Sequence, residues 1–105
     1  MWLVVLFDVP TLTQRDRHEY RTLRQTLLDS GMLMLQYSVY VKPYSGGHSP
    51  EPLIRAIERV LPGDGKVTIL ELPDRVYQSA YRFTGARFAE SHGEDPEPPQ
   101  ELMLF

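Results

Sequence analysis

An uninterrupted apolar run opens the chain and constrains its fold more than any other feature. Residues 2–7 are all apolar, with no polar position to mark a solvent-facing side. Such a run is typical of a strand buried on both faces in the middle of a sheet. Asp8 ends the run, and Pro10 restricts Val9 to extended geometry and stops ladder pairing. The sequence therefore predicts a central first strand with a carboxylate at its end.

A helix and two strands are predicted next. Thr11 or Thr13 can cap a helix that runs to about residue 30, and Gly31 is the expected C-terminal stop. Apolar residues recur along this segment at helical spacing and give it one buried face. Two consecutive strands, or one bent strand, follow at about residues 32–35 and 37–42.

The second half of the chain predicts a helix, a strand and a short extension. Ser49 is a suitable cap for a helix that carries apolar residues through position 61. Residues 66–72 alternate as a strand, residues 73–79 favour a helical turn, and residues 80–84 favour one more strand. The order β-α-β-β-α-β predicts an α+β, ferredoxin-like fold. This fold is a four-stranded antiparallel sheet with two helices on one face.

Composition limits the classes of function. A chain of 105 residues has room for one domain, and without cysteine it has neither disulfides nor thiolate metal sites. The net charge is −3, but residues 1–89 carry eleven basic and nine acidic side chains, a net charge of +2. The acidity therefore lies in the Pro-rich tail, residues 90–105. The folded body is mildly basic, which weakly favours phosphate contacts.

The last four residues of the tail are apolar again, which an unattached tail does not require. We predict a domain at residues 1–89 and a tail that ends in a docking strand. This strand would lie on the edge of a sheet, in the same chain or in a partner. Its residues are Leu102, Met103, Leu104 and Phe105.

Three groups of residues are candidates for chemistry, and each also has a purely structural explanation. Asp8 is either a turn-closing aspartate or half of a divalent-metal site that a second copy completes. Arg17, Arg21 and Arg24 share one helix face, where they either contact phosphate or remain solvated. Ser38 and Tyr40 are polar positions of a strand. They either support a site or satisfy local packing and backbone.

These same residues carry a resemblance to a known family. The ordered set comprises Asp-x-Pro-Thr at 8–11, Tyr-Arg-x-x-Arg at 20–24 and Gln-x-Ser-Val-Tyr at 36–40. It resembles CRISPR-associated protein family 2, the small ferredoxin-like subunit of the spacer-acquisition complex, in the form found beside type II systems. The resemblance is densest over residues 1–42 and looser over residues 66–85. The closing residues 101–105 are similar to the family's last strand.

The resemblance implies a function and its partners. Family members form homodimers in which C-terminal strands pair across protomers, and they bridge integrase dimers while holding double-stranded DNA. Many are described as metal-dependent endoribonucleases, with single-stranded RNA as one expected substrate, and some cut duplex DNA. Other members need no nuclease activity for spacer acquisition, so the resemblance is compatible with a DNA-binding scaffold of little or no activity as well as with a nuclease. By this resemblance, Asp8 from each protomer would hold one Mg²⁺ per dimer and act in catalysis. Arg17, Arg21 and Arg24 would bind nucleic acid, while Ser38 and Tyr40 would support the site.

Two other functions remain open for a fold of this kind. A toxin-type endoribonuclease is one. A regulatory domain that senses a small molecule is the other, although it would need a Gly-rich loop where this chain has Asp8, Val9 and Pro10. We expect a cytoplasmic protein, because the start of the chain lacks a basic leader and no apolar run reaches the ~18 residues of a membrane span.

Overall fold

The structure, a computed structural model, describes residues 1–92 of the chain. The central strand β1 (Trp2–Asp8) buries five of its first six residues and ends on exposed Asp8. Helix α1 (Gln14–Asp29) and strands β2 (Leu33–Gln36) and β3 (Val39–Pro43) follow. The remaining elements are α2 (Glu51–Arg59), β4 (Lys66–Leu72), α3 (Asp74–Gln78) and α4 (Ala86–His92).

The strands of the described residues form one antiparallel sheet in the order β2-β3-β1-β4. This is the strand order of the ferredoxin-like fold, so the predicted fold class is confirmed. β1 pairs with both β3 and β4, which explains why its sequence has no polar side. Trp2 lies opposite Leu72, and Asp8 lies opposite Lys66. The register therefore places the first residue of β4 beside the last residue of β1.

Helix α1 begins and ends where local chemistry predicts. The Thr13 hydroxyl accepts a hydrogen bond from the Asp16 N–H at 3.0 Å, and the Asp16 carboxylate accepts one from the Thr13 N–H at 3.2 Å. This reciprocal cap satisfies two backbone donors at the helix start. At the other end, Gly31 adopts a φ of +85°, a conformation that glycine reaches without steric penalty. Thr13 rather than Thr11 is therefore the cap, and the predicted stop at Gly31 is confirmed.

Helix α2 differs slightly from its prediction. Pro50 occupies the N-cap position, one residue after the predicted cap Ser49, and the Ser49 hydroxyl accepts a hydrogen bond from the Glu51 N–H at 3.2 Å. The helix ends at Arg59, with Val60 as its C-cap, so the predicted extension to residue 61 is wrong. Apolar periodicity continues past the last helical residue because Val60 still packs against the core from the turn.

Apolar side chains form a separate core on each face of the sheet. Val5, Phe7 and Tyr40 pack against Leu23 of α1 and Ile57 of α2. Both helices therefore cover the same face, as the ferredoxin-like arrangement requires.

The opposite face, which we call the open face, carries the second core. There Trp2, Val4 and Val41 gather around Tyr77 of α3, and the Trp2 and Tyr77 rings stack with centroids 4.3 Å apart. The guanidinium of Arg82 lies 4.9 Å from the centroid of the Tyr77 ring. Helix α3 thus covers one corner of the open face.

The segment after α3 corrects one prediction. Residues 80–85 form no strand, so the predicted strand at 80–84 is wrong for a single chain. β2 and β4 are the edge strands of the sheet, and within residues 1–92 this segment pairs with neither of them. Tyr81 and Phe83 are 89% and 92% exposed. The predicted domain boundary between residues 89 and 90 falls within helix α4. The predicted docking strand at residues 102–105 lies outside the described residues.

Candidate functional site

Asp8 stands at the exposed end of β1 on the open face. Leu6, two residues earlier on the same face, packs with the second core, while Phe7 points toward the helices. Within residues 1–92 the Asp8 carboxylate makes no hydrogen bond or ion pair. The same part of the chain contains no cluster of three His, Cys, Asp or Glu side chains that could hold a metal. At this position one chain therefore offers one free carboxylate, that of Asp8, which does not by itself form a metal centre.

The loop that leaves Asp8 is fixed from α1. Arg17 donates hydrogen bonds from Nη1 to the backbone carbonyls of Thr11 at 3.3 Å and Leu12 at 3.1 Å. The capped start of α1 holds the other end of the loop at Thr13. Arg17 thus positions the backbone next to Asp8, and its guanidinium is partly engaged in doing so.

A second loop supports Asp8 from the β4 side. Gly65 has a φ of +111°, and a Cβ built on it would lie 2.5 Å from the carbonyl oxygen of Asp8. Two residues earlier, the Gly63 N–H donates to the Glu19 carboxylate at 2.8 Å. Glu19 also forms an ion pair with Arg15, whose Nε lies 3.5 Å from the Glu19 Oε1. The loop before β4 is therefore tied to α1 and packed directly against the backbone of Asp8.

Lys66 on one side and the turn between β2 and β3 on the other flank Asp8 across the sheet. On one side Lys66 is its cross-strand partner, and both side chains are exposed. On the other side is the turn at Tyr37 and Ser38, where Ser38 has a φ of +64°. The Ser38 carbonyl accepts a hydrogen bond from the Phe7 N–H at 3.0 Å, which fastens this turn beside Asp8. Ser38 thus lies near Asp8, and the contact that it makes uses its backbone.

Sequence reasoning missed Lys66. The available signal was topological, because in a split β-α-β arrangement the first and last strands are antiparallel neighbours. The start of the last strand must then approach the end of the first. A basic residue at the first position of residues 66–72 was therefore a candidate neighbour of Asp8.

Tyr40 lies on the other face of the sheet. It is 1% exposed, and its ring stacks against Phe7, with centroids 5.9 Å apart, beneath α1. Burial raises the pKa of its phenol, an effect that the neighbouring Arg24 guanidinium partly offsets. The Tyr40 hydroxyl has no hydrogen-bond partner among the described residues. The structure therefore separates Tyr40 and Arg24 from Asp8 and Lys66, so any support from Tyr40 would pass through packing.

The three predicted nucleic-acid contacts lie along α1. Arg21 and Arg24 are exposed, and Arg17 is exposed but also bonded to the loop carbonyls.

None of the helices within residues 1–92 combines the length and apolar character needed to cross a membrane.

Comparison with known proteins adds an independent result. The family model described as CRISPR associated protein Cas2 matches residues 1–80. A curated relative from Paracidovorax avenae, named CRISPR-associated endoribonuclease Cas2, is 36% identical over 101 residues, which cover 96% of this chain and 86% of the relative. Relatives of the same name from Flavobacterium psychrophilum and Lacticaseibacillus rhamnosus are 30% and 39% identical. They cover 100% and 81% of this chain and 88% and 84% of their own lengths. The chain, with its ferredoxin-like sheet and strand-end Asp8, belongs to the Cas2 family of CRISPR-associated proteins.

Proposed function

We propose that this chain works as a homodimer in CRISPR adaptation. In this role it bridges integrase dimers on double-stranded DNA and carries a Mg²⁺-dependent phosphodiesterase site at Asp8. The observation that carries the proposal is the free, exposed Asp8 carboxylate, which two fixed loops hold at the end of the central strand. The curated relatives are named endoribonucleases, which supports a nuclease role with RNA or DNA as substrate.

The open face of the sheet supports a dimer. Leu33 and Leu70 are 40% and 44% exposed on it, and Leu6, Leu35 and Val39 are only partly buried. Helix α3 covers only the Trp2 corner, so much of this apolar face lacks a cover within residues 1–92. A second copy of the same face would bury it by sheet-to-sheet packing.

Unpaired strand edges support the same assembly. β4 lies at an edge of the sheet, and residues 80–85, which are neither helix nor strand, expose Tyr81 and Phe83. We propose that this segment, with the apolar residues 102–105, adds strands to the edge of the partner's sheet. Such pairing would satisfy the β4 backbone groups and bury both aromatic side chains.

Two copies of Asp8 would complete the metal site. Face-to-face packing of two open faces can bring the two strand ends toward each other, and two carboxylates hold Mg²⁺ better than one. When bound, the ion supplies Lewis acidity and a water of lowered pKa. Arg17 and the Gly65 loop keep each carboxylate in place.

Nucleic acid would also contact basic side chains of α1. Arg21 and Arg24 are exposed on the same helix, and arginine suits bidentate phosphate binding. Arg17 would act mainly by holding the loop beside Asp8. Arg21 and Arg24 would therefore bind the phosphate backbone, without sequence preference.

The test compares wild type with Asp8→Asn. Asp29→Asn serves as the matched control, because Asp29 is an exposed acid of α1 whose carboxylate accepts a hydrogen bond from Gln25 on the same helix. We expect Mg²⁺-dependent cleavage of single-stranded RNA or duplex DNA by wild type and the control, and its loss in Asp8→Asn. Isothermal titration should give one Mg²⁺ for two chains.

The possible failures separate the two parts of the proposal. Cleavage that persists in Asp8→Asn would show that another site or a contaminant is responsible. If wild type does not cleave but binds duplex DNA and the integrase, the nuclease part fails and the bridging part stands. A gene neighbourhood without an integrase gene and a repeat array would contradict the bridging role and the type II assignment.

A further inference from the structure

Two opposite charges face each other at the end of the sheet without pairing. Asp8 and Lys66 are direct cross-strand partners, which places their Cβ atoms roughly 4.5–5.5 Å apart. Both side chains are exposed, and within residues 1–92 neither makes a hydrogen bond or an ion pair closer than 4 Å. A carboxylate and an ammonium are thus held side by side, each free to bind something else.

The backbone around this pair is tightly fixed. Gly65, immediately before Lys66, packs so closely on Asp8 that a Cβ would lie 2.5 Å from the Asp8 carbonyl oxygen and 2.9 Å from the Val9 Cα. Glu19 ties the same loop to α1 through Gly63. The Cα atoms of Asp8 and Lys66 therefore keep a constant separation, as the two halves of a binding site must.

We propose that Lys66 binds the phosphodiester that is cleaved at Asp8. The inference rests on the proposed function of Asp8 and adds the group that holds the substrate. The Lys66 ammonium donates to a non-bridging phosphate oxygen, a point-charge contact for which lysine is well suited. Negative charge on these oxygens is stabilised by a fixed cation, so the contact contributes to the rate as well as to binding.

Lys66 forms and breaks no bond in this step. A water oxygen bonds to phosphorus, the bond from phosphorus to the leaving sugar oxygen breaks, and that oxygen keeps the electron pair. The proton lost by the water reaches the leaving oxygen through solvent. Lys66 contributes its positive charge and transfers no proton, so an arginine at this position would retain the charge and much of the effect.

The simpler alternative is that Lys66 only attracts Asp8 and holds β1 and β4 together. Opposite charges directly across two strands contribute modestly to the stability of a sheet. The two roles make different predictions, because a phosphate contact changes the salt dependence of nucleic-acid binding, whereas a strand-pairing contact changes melting alone.

The experiment uses the full chain with Lys66→Met, Lys66→Arg and the control Arg75→Met. Arg75 is an exposed cation of α3. This helix follows Leu72, which lies at the opposite end of β4 from Lys66 and Asp8. We measure kcat and KM with Mg²⁺ on single-stranded RNA and duplex DNA. We also measure duplex binding at several salt concentrations in the cleavage-deficient Asp8→Asn background.

We expect Lys66→Met to lower kcat/KM by about tenfold or more, as loss of a charged hydrogen bond does. Lys66→Arg should recover most of this loss. For two Lys66 per dimer, Lys66→Met should reduce the slope of log Kd against log salt by about 0.9 for each duplex phosphate contact removed. Arg75→Met should change neither quantity.

Three results would overturn the inference. One is an unchanged salt slope and kcat/KM in Lys66→Met. Another is a lower melting temperature in Lys66→Met with wild-type binding and cleavage, which would assign Lys66 to strand pairing. The third is the absence of any nucleic-acid binding by wild type. If wild type binds but never cleaves, a reduced slope keeps Lys66 as a phosphate ligand and only the hydrolysis at Asp8 is lost.

Discussion

Substituting Gly65 by alanine tests whether close backbone packing holds Asp8 in place. The added Cβ would lie 2.5 Å from the Asp8 carbonyl oxygen and 2.9 Å from the Val9 Cα, whereas ordinary contacts begin at 3.4 Å. Two of the three nearest atoms belong to backbone and the third is the Val9 Cγ1 at 2.9 Å, so rotation of a side chain cannot by itself make room. The φ of +111° is also strained for any residue that has a Cβ.

Two costs contribute to the expected destabilisation. The unfavourable φ of a non-glycine residue costs about 1–3 kcal/mol. Relieving the overlap requires the backbone to move by about 1 Å, and such overpacking typically costs about 1–3 kcal/mol. We therefore expect Gly65→Ala to lose about 2–6 kcal/mol of a total stability on the order of 5–15 kcal/mol. The melting temperature should fall by roughly 10 °C or more.

The assay is urea denaturation of Gly65→Ala beside wild type and Gly46→Ala. Gly46 is a suitable control, because a Cβ built there meets nothing within 4 Å. Its substitution should be neutral or slightly stabilising, through the reduced entropy of the unfolded chain. If Gly65→Ala unfolds at the same urea concentration as Gly46→Ala, the loop does not pack on Asp8 as described. In that case the Gly65 loop does not fix the position of Asp8.

Two further predictions concern the dimer and alkaline pH. Leu70→Asp, on the open face, should convert the dimer to monomer in light scattering. Leu61→Asp, at a 54% exposed position after α2, should not, and an unchanged mass for Leu70→Asp would rule out sheet-to-sheet packing. Removing residues 98–105 should weaken the same dimer. Burial raises the pKa of Tyr40 and of Tyr77 above the ordinary 10.0, with Arg24 and Arg82 partly opposing the rise. The unfolded chain therefore loses these protons first, so stability is intact below pH 10 and is lost as pH rises above it. A urea midpoint that stays constant or rises above pH 10 would contradict this reasoning.

Local chemistry explains which elements the sequence predicts well. The apolar run before Asp8 is a central strand because a sequence with no polar side has to be covered on both faces. The start of α1 at Thr13 and its end at Gly31 follow from a hydroxyl cap and a left-handed backbone conformation. Each of these features depends on residues within about one helical turn, so the sequence contains the necessary information.

The features that depend on register or on a partner were harder to predict. Neither the approach of Lys66 to Asp8 nor the orientation of Tyr40 toward α1 is visible until strand pairing is known. A shift of one residue would exchange the two faces of a strand. Residues 80–84 have the composition of a strand, yet within residues 1–92 they pair with neither edge strand of the sheet, β2 or β4.

The chemistry proposed for Asp8 depends on quaternary structure. At the end of β1 one chain places a single carboxylate, that of Asp8. Within residues 1–92 no cluster of metal-ligating side chains is present, and the leucines of the open face remain partly exposed. The apolar face and the incomplete site lie on the same side of the sheet, since Leu6, Asp8 and Leu70 all project there. The apolar open face that would drive association is thus continuous with Asp8, whose proposed metal site requires the Asp8 of a second copy. Because burial of that surface and completion of the site occur together, a variant that prevents dimerisation should also lose Mg²⁺-dependent cleavage, even though Asp8 itself is intact.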